Sequence, residues 1–374
     1  MNPLYTAPAM LRNFVTRTAP VLILGASLLR AVAQTSPTTA DVQGPPTIKL
    51  EPVENDTKNR IGIGYLMGLN ISVDFRHLGG LSLSDPGPST GSRFNRNYDD
   101  GYNRVDISTN NGGMTWNWGY ARSQSAQGND MVLQSYSTPA DIDSNGNSDG
   151  PDHGLELLYQ RELRREKHWR LGAGAALGYN RISISDSSSF VNSSVRTDDS
   201  FSLNGSTPPF PPYHGTFQGP GALINSTPSR TLTDLPGAAA VFGDRRIDTD
   251  LFTVRLGPYL EFPLNDKWSL FVDGGLTLGF AHTTFSFTET VVISDPRYNM
   301  NLIGTRSRSG SETDFVVGGY AGMGISYALT EKINLFGAAR FQAAGTAVNR
   351  QGGKESALHL GQSILVSIGI SYSF

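Results

Sequence analysis

Apolar and polar residues alternate along the segment from Ile61 to Arg76. The odd-numbered positions carry the apolar side chains Ile61, Ile63, Tyr65, Met67, Leu69, Ile71, Val73 and Phe75. Most even-numbered positions are glycine or polar. A period of two gives a β-strand with one apolar face. At roughly 15 residues the predicted strand is longer than most strands of soluble sheets, which have about 5–6 residues.

The same alternation returns in later segments of the chain. It is clear in residues 249–263, 267–287, 311–329 and 358–374, and weaker in residues 113–121, 130–137, 153–164, 168–184 and 332–344. Together these segments predict an all-β fold, a transmembrane antiparallel up-and-down β-barrel of about ten strands, within a range of about 8–12. Lipid then covers the apolar face of each strand.

The connections between the predicted strands alternate between short and long. Short polar turns fall at 164–168, 265–267 and 330–332, and long segments at 78–111, 138–152, 186–248, 288–310 and 345–356. Outer-membrane barrels have short periplasmic turns and long outer loops. The alternation therefore places both ends of the barrel in the periplasm. Residues 186–248 are rich in Ser, Thr, Asn, Pro and Gly, which predicts a long, poorly ordered surface loop.

Aromatic residues fall near the predicted strand ends. The predicted periplasmic girdle consists of Trp116, Trp118, Trp169, Trp268, Phe262 and Tyr327, joined by Tyr372 and Phe374. A second set of aromatic residues lies about 10–12 residues away, which matches the height of an apolar band of about 25 Å. Aromatic rings favour the depth of the lipid headgroups.

The composition excludes several classes of protein. The net charge is −3 and the sequence pI is about 6.1, so no basic excess exists to neutralise nucleic-acid phosphates. Cysteine is absent, which excludes disulfides and thiolate metal sites. The mean hydropathy of −0.26 is too polar for a bundle of membrane helices and fits a barrel, because barrel strands show only half their residues to lipid.

The first residues have the pattern of a secretory signal. Arg12 and Arg17 precede an apolar run, and Ala31-Val32-Ala33 matches a signal-peptidase site. The predicted organisation is a cleaved signal at 1–33, a periplasmic lead-in at 34–59 and an outer-membrane barrel at 60–374.

The last eight residues, Ser367-Ile368-Gly369-Ile370-Ser371-Tyr372-Ser373-Phe374, alternate and end on an aromatic residue. This segment resembles the terminal strand of outer-membrane β-barrel proteins, and the chain is similar in pattern to small barrels of the opacity-protein and OmpA transmembrane-domain type. The resemblance implies a bacterial outer-membrane location. It also implies that Tyr372 and Phe374 are the assembly signal read by the barrel-assembly machinery. No specific activity follows, because one fold hosts many functions.

Charged residues of both signs fall on the predicted inward face near mid-height, namely Glu156, Arg255, Asp273 and Arg340. They are interpreted either as a salt-bridged plug or as the lining of a selective pore. The functional hypothesis is a narrow pore or a structural surface protein. The alternative is an adhesin or ligand-binding barrel that uses the long outer loops. Lipid is the expected partner, nucleic acid is not, and the oligomeric state stays open.

One segment resembles a calcium loop. Its oxygen ligands would be Asp141, Asp143, Asn145, Asp149 and Asp152. Runs of Asp, Asn and Gly are also common in ordinary turns. Calcium, bound by this segment, is the one cofactor that the sequence suggests.

Outer-membrane hydrolases need a histidine paired with a serine or a carboxylate near the outer rim. His359 lies near Ser356 and His153 beside Asp152, but neither spacing is distinctive. The sequence therefore favours a protein that is not an enzyme, with a hydrolase as the least favoured alternative.

Overall fold

The computed structural model describes residues 58–148 and 150–374, and the predicted signal at 1–33 and most of the lead-in at 34–59 lie outside them. The first strands are β1 (Asn59–Leu69), β2 (Ser72–Leu78), β3 (Leu81–Ser82), β4 (Arg96–Asn97), β5 (Gly101–Asn103), β6 (Met114–Thr115), β7 (Trp118–Tyr120), β8 (Ala126–Gln127), β9 (Asp130–Thr138), β10 (Ile142–Asn147) and β11 (Asp152–Arg165). The others are β12 (Arg170–Asp186), β13 (Phe190–Ser202), β14 (Tyr213–His214), β15 (Ile224–Asn225), β16 (Ser229–Pro263), β17 (Trp268–Asp295), β18 (Met300–Ala328), β19 (Ile333–Ala344), β20 (Thr346–Gln351), β21 (Lys354–His359) and β22 (Ser363–Ser373). Three short 3₁₀ turns lie at Asn111–Gly113, Ser123–Ser125 and Pro296–Tyr298. Within the described residues no helix is long and apolar enough to cross a membrane.

Eight of these strands pair in a ring. Their order is β1, β11, β12, β16, β17, β18, β19 and β22, each antiparallel to its neighbours, and β22 pairs back with β1. The eight ring strands lie within the predicted range of about 8–12 but are fewer than the central value of about ten, and the described residues contain more than ten strands in all. The alternating segments 113–121 and 130–137 form β6, β7 and β9, which pair outside the ring.

One end of the ring, here called the turn end, carries the short connections and both ring termini. Backbone hydrogen bonds close these connections from Glu166 to Trp169, from Leu264 to Trp268 and from Leu329 to Ile333, and Asn59 bonds Phe374 across the ends of β1 and β22. The opposite end, the loop end, carries every long connection. The predicted alternation of short and long connections is present.

Side chains alternate in and out of the ring with the period that the sequence indicated. On β11, Leu155 and Leu157 are 56% and 52% exposed, whereas Glu156 between them is fully buried. The exposed apolar side chains of the ring form a belt that includes Ile61, Ile63, Leu155, Leu157, Leu177, Phe252, Leu256, Leu276, Phe280, Phe315, Val317, Met323, Ile325, Ile364, Ile368 and Ile370. An antiparallel ring with an apolar outside and a polar inside is the architecture of outer-membrane β-barrels.

The loop end continues into an ordered extension, here called the head. It comprises β2 to β10, β13 to β15, β20, β21 and the loop-end halves of β16, β17 and β18. A second sheet of order β10, β2, β21, β20 packs against the extended ring strands. Between them lies a buried apolar cluster, here called the mouth core, formed by Ile71, Val73, Phe75, Leu78, Ile182, Ile184, Ile247, Leu251, Ala281, Phe285, Phe287, Val316, Ala347, Leu358 and Leu360. The mouth core covers the loop end of the lumen.

The segment 186–248 is not the poorly ordered loop that its composition predicted. It contains β13, β14, β15 and the first part of β16. β13 pairs with β9 on one side and with β16 on the other. The backbone hydrogen bonds of this segment are thus met by neighbouring strands rather than by water.

Candidate functional site

The barrel lumen holds a cluster of four buried charges, contributed by Glu156 on β11, Arg255 on β16, Asp273 on β17 and Arg340 on β19. Glu156 forms ion pairs with both Arg255 and Arg340, the second at 3.6 Å. Arg340 Nε also donates to Asp273 Oδ2 at 2.8 Å, and its Nη1 donates to the Ser367 hydroxyl at 3.0 Å. The structure therefore brings together all four charges that the sequence placed on the inward face.

Glycines lie beside two of these charged side chains on the neighbouring strands. Glu156 lies directly opposite Gly64 on one side and Gly178 on the other. Gly322 lies opposite Arg340, and a Cβ added at Gly322 would come within 2.4 Å of Arg340 Cγ. Gly322 therefore leaves room for Arg340, whereas a Cβ added at Gly64 would meet Phe336 and one at Gly178 would meet Thr253.

The cluster is electrically balanced, because two carboxylates face two guanidinium groups. Glu156, Arg255 and Arg340 are all almost completely buried. Burying such charges is tolerated only while they compensate one another.

Little free space remains around the cluster. The cavity beside Arg255 and Arg340 has a volume of about 10 Å³, which is about the space that one water molecule needs. The rings of Tyr259 and Tyr320 also line it, and the Arg255 guanidinium lies 5.7 Å from the Tyr320 ring centroid. The charged side chains and the two tyrosine rings thus occupy the space around Arg255 and Arg340.

Four of the residues predicted to form the periplasmic aromatic girdle lie at the turn end. Trp169, Trp268, Phe262 and Tyr327 lie there, and the rings of Trp268 and Tyr327 are 4.8 Å apart. The rings of Tyr372 and Phe374 stack at 6.4 Å.

Trp116 and Trp118 do not belong to this girdle, and that prediction is wrong. Both lie in the head, where Trp118 is fully buried in a cluster with Leu133 and Phe201. The Trp116 indole bonds the Phe217 carbonyl at 3.3 Å.

The segment predicted as a calcium loop is mostly a strand. Ile142–Asn147 forms β10 and pairs with β2, so Asp143 and Asn145 are held in extended backbone. Asp152 begins β11 and accepts a hydrogen bond from Ser148 Oγ at 3.2 Å. Asp149 lies outside the described residues, and among those described no group of acidic or histidine side chains could hold a metal ion. Calcium binding by Asp141 and its neighbours stays a prediction.

Neither of the predicted histidine pairs forms. His359 Nε2 donates to Asp74 Oδ2 at 3.1 Å, and its Nδ1 contacts Thr346 Oγ1 at 3.3 Å, so neither nitrogen pairs with Ser356. Burial alone would raise the pKa of Asp74, but hydrogen bonds from His359 and Arg76 lower it. This carboxylate is already shared with Arg76 at 2.9 Å, so it serves a surface ion network.

His153 and Asp152 also fail to pair, because they lie on opposite faces of β11. Asp152 is buried and His153 is exposed. His153 instead contacts the Tyr65 hydroxyl and stacks on its ring at 5.8 Å.

A second buried ion cluster, which no sequence pattern predicted, joins the head to the ring. Glu289 on β17 pairs with Lys354 and accepts from the Gly79 backbone N–H at 3.2 Å. Arg245 approaches Glu289 at 3.8 Å and pairs with Asp186 at 3.0 Å. The cluster ties β21 and the chain after β2 to the loop-end halves of β16 and β17.

No protein-family model matches the chain, and no curated protein matches it. Among solved structures it is similar to Ail, the attachment invasion locus protein of Yersinia pestis, at 11% identity, covering 85% of this chain and 99% of that one with a TM-score of 0.27. It is also similar to the outer membrane protease OmpT of Escherichia coli, at 10% identity over 85% of this chain and 97% of that one, with a TM-score of 0.28. The P. putida toluene transporter TodX matches at 8% identity, 85% of this chain and 90% of its own, with a TM-score of 0.18. Likenesses of this size assign no activity, and the fold rests on the strand pairing of the chain itself.

Proposed function

We propose that this protein is a structural barrel of the bacterial outer membrane, closed to ions, that holds an ordered head at the cell surface. The observation that carries the proposal is the filled lumen. Balanced charges and a cavity of about 10 Å³ occupy its middle, and the mouth core covers its loop end. A selective pore would instead need a continuous wetted path lined by such groups.

The head supports the display role. It is built from strands rather than from free loops, and three ring strands extend without a break into it, namely β16, β17 and β18. Strands shared between membrane and head would transmit the rigidity of the barrel to the exposed surface. Long outer loops lie outside the cell in barrels of this type, which supports the proposal that the head lies there.

The belt and the last strand support the proposed partners. Outer-membrane lipid would cover the exposed apolar side chains of the ring, and aromatic rings at the turn end would lie at headgroup depth. Tyr372 and Phe374, exposed at the end of β22, are proposed as the signal for the barrel-assembly machinery. Nothing in the described residues requires a cofactor for this role.

Conductance of the purified protein in a planar lipid bilayer tests the closed lumen. We expect a silent bilayer at moderate voltage. Steady ion-selective openings that change with Arg255→Ala or Arg340→Ala would overturn the proposal in favour of a pore.

Cysteine labelling of intact cells tests the display of the head, because the chain has no cysteine of its own. Leu232→Cys in the head should react with a membrane-impermeant maleimide. Lys267→Cys, in a turn-end connection, should react only after the outer membrane is permeabilised. The reverse pattern would contradict the orientation.

A further inference from the structure

An open groove with a volume of about 640 Å³ lies in the head, outside the lumen. Its floor is one face of the three strands β9, β13 and β16, and its far wall is the turn around Arg297 and Tyr298. The lining residues are Gln127, Asp130, Val132, Arg196, Asp198, Ser200, Ser202, Asn225, Thr227, Pro228, Ser229, Thr231, Thr233, Arg297 and Tyr298. Its volume falls within the range of small-molecule sites, about 300–1,000 Å³.

The floor of the groove is hydroxyl-rich because of the strand register. Ser200 lies opposite Ser229, and Asp198 opposite Thr231, so these side chains share one face. Ser202 lies opposite Asp130 on the other neighbour. The reverse face of the same strands carries Met131, Leu133 and Phe201, which are buried in an apolar cluster. One face of these strands thus packs against an apolar cluster, and the other face presents polar side chains to the groove.

A fixed ion network forms the deep part of the groove. Arg196 is buried, and its guanidinium donates to Asp198 at 2.8 Å and to Asp295 at 2.7 Å. The Tyr136 hydroxyl donates to Asp295 at 3.0 Å, and Arg196 lies 4.9 Å from the Tyr298 ring centroid. These contacts hold the polar groups in place before any ligand arrives, which lowers the cost of binding.

One acceptor in this network is unused. Asp198 Oδ1 is buried and has no hydrogen-bond partner in the described residues. Asp198 lines the groove. A small rotation of its carboxylate would present this oxygen to a donor hydroxyl on a ligand, and the new hydrogen bond would recover the free energy that an unpaired buried oxygen costs. The neighbouring Ser200 and Thr231 hydroxyls both donate and accept, so they match a ligand with several hydroxyl groups.

The lining carries no net charge, so it gives no overall electrostatic attraction for an ionic ligand. Asp130 and Asp198 offset Arg196 and Arg297, so the four charged lining residues sum to zero. We propose that the groove binds a neutral polyhydroxylated ligand, an oligosaccharide. This inference deepens the proposed function and rests on it, because display outside the cell is what would bring the groove to surface glycans.

The test uses the full-length protein in a zwitterionic detergent, since a glycosidic detergent would offer the same hydroxyl chemistry as the ligand. An array of neutral and anionic oligosaccharides is screened, and the strongest neutral binder is titrated by calorimetry. Ser200→Ala with Thr231→Val removes two groove hydroxyls. Thr305→Val, an exposed outward position of β18 outside the groove, is the matched control.

We expect a neutral oligosaccharide to bind, the double variant to weaken binding on the order of tenfold or more, and the control to bind as the parent does. If the double variant does not fold, Thr231→Val alone should still weaken binding by a few-fold. Preference for anionic ligands, no binding of any neutral oligosaccharide, or equal binding by groove and control variants would overturn the inference. The two proposals can fail separately. If no oligosaccharide binds but the bilayer is silent and the head is labelled on intact cells, the proposed display function stands. If the protein conducts ions, the closed-barrel function is overturned whatever the binding result.

Discussion

Replacing Glu156 by glutamine removes one charge from the centre of the lumen and keeps the shape of the side chain. In the parent protein Glu156 compensates both Arg255 and Arg340. In the variant only Asp273 remains to face two buried guanidinium groups. Breaking a buried ion pair by removing one partner costs about 3–5 kcal/mol. We expect Glu156→Gln to lower the free energy of unfolding by about that amount.

The matched double variant separates charge from packing. Glu156→Gln with Arg255→Gln removes one charge of each sign, so Arg340 keeps Asp273 as its partner. We expect it to recover part of the lost stability, because effects of neighbouring residues are not additive. Urea unfolding in lipid vesicles, followed by the mobility of unboiled protein on gels, measures both variants. The reasoning is refuted if the free energy of unfolding of Glu156→Gln lies within about 1 kcal/mol of the parent value. It is also refuted if the double variant is less stable than the single variant by about a further 3–5 kcal/mol, as expected for a second broken ion pair.

Three further outcomes follow from the structure. Burial raises the pKa of Asp100 from its ordinary value of 3.8 to about 6. Because the folded state keeps this proton to a higher pH than the unfolded state does, the head should lose up to about 3 kcal/mol of stability as pH rises from 3.8 to about 6. Asp100→Asn should flatten that pH dependence in melting curves at pH 4.5 and 7.5, and an unchanged slope would count against the reasoning. Gly322→Val would place side-chain atoms within 2.8 Å of the Ala339 carbonyl oxygen. We therefore expect the free energy of unfolding in the same urea assay to fall by about 1–3 kcal/mol. An unchanged free energy would show that the strands move apart freely at this position. Removing the terminal aromatic ring with Phe374→Ala should reduce the folded fraction recovered from outer-membrane fractions, while refolding into vesicles in vitro changes little; equal loss in both assays would assign Phe374 to stability rather than to assembly.

The ring and its belt were predictable from sequence because lipid imposes a simple rule on each strand. Every second residue from Ile61 or along Leu155–Leu157 must be apolar, whatever the partner strand is. The strand count was not predictable by the same rule. β9 alternates as a membrane strand does, but its apolar side packs onto Trp118 and Phe201 in the head. Alternation with a period of two identifies the covered face of a strand, but it does not show whether lipid or protein covers that face.

The order of residues 186–248 was hidden for a related reason. The exposed face of β13 carries hydroxyl and carboxylate side chains such as Asp198 and Ser200, so the strand composition resembles that of a loop. Its extended form depends on pairing with β9 and β16, which are distant in sequence.

The lumen charges were predictable as a group but not as pairs. Alternation places Glu156 and Arg255 inside, whereas their contact depends on which strands face each other across the ring. Glu156 lies on β11 and Arg255 on β16, with β12 between them. The missed cluster around Glu289 has the same origin, because its partner Lys354 comes from the second sheet of the head.

Lipid contact of the belt is tested most directly by spin labels at two positions of equal exposure. Leu276 on the ring and Leu232 in the head are each 64% exposed, and single cysteines introduced there are the only labelling sites in a chain without cysteine. In lipid vesicles, we expect the label at Leu276→Cys to collide mainly with dissolved oxygen and the label at Leu232→Cys mainly with a water-soluble nickel complex. Equal collision of both labels with the nickel complex would contradict the barrel's place in the membrane.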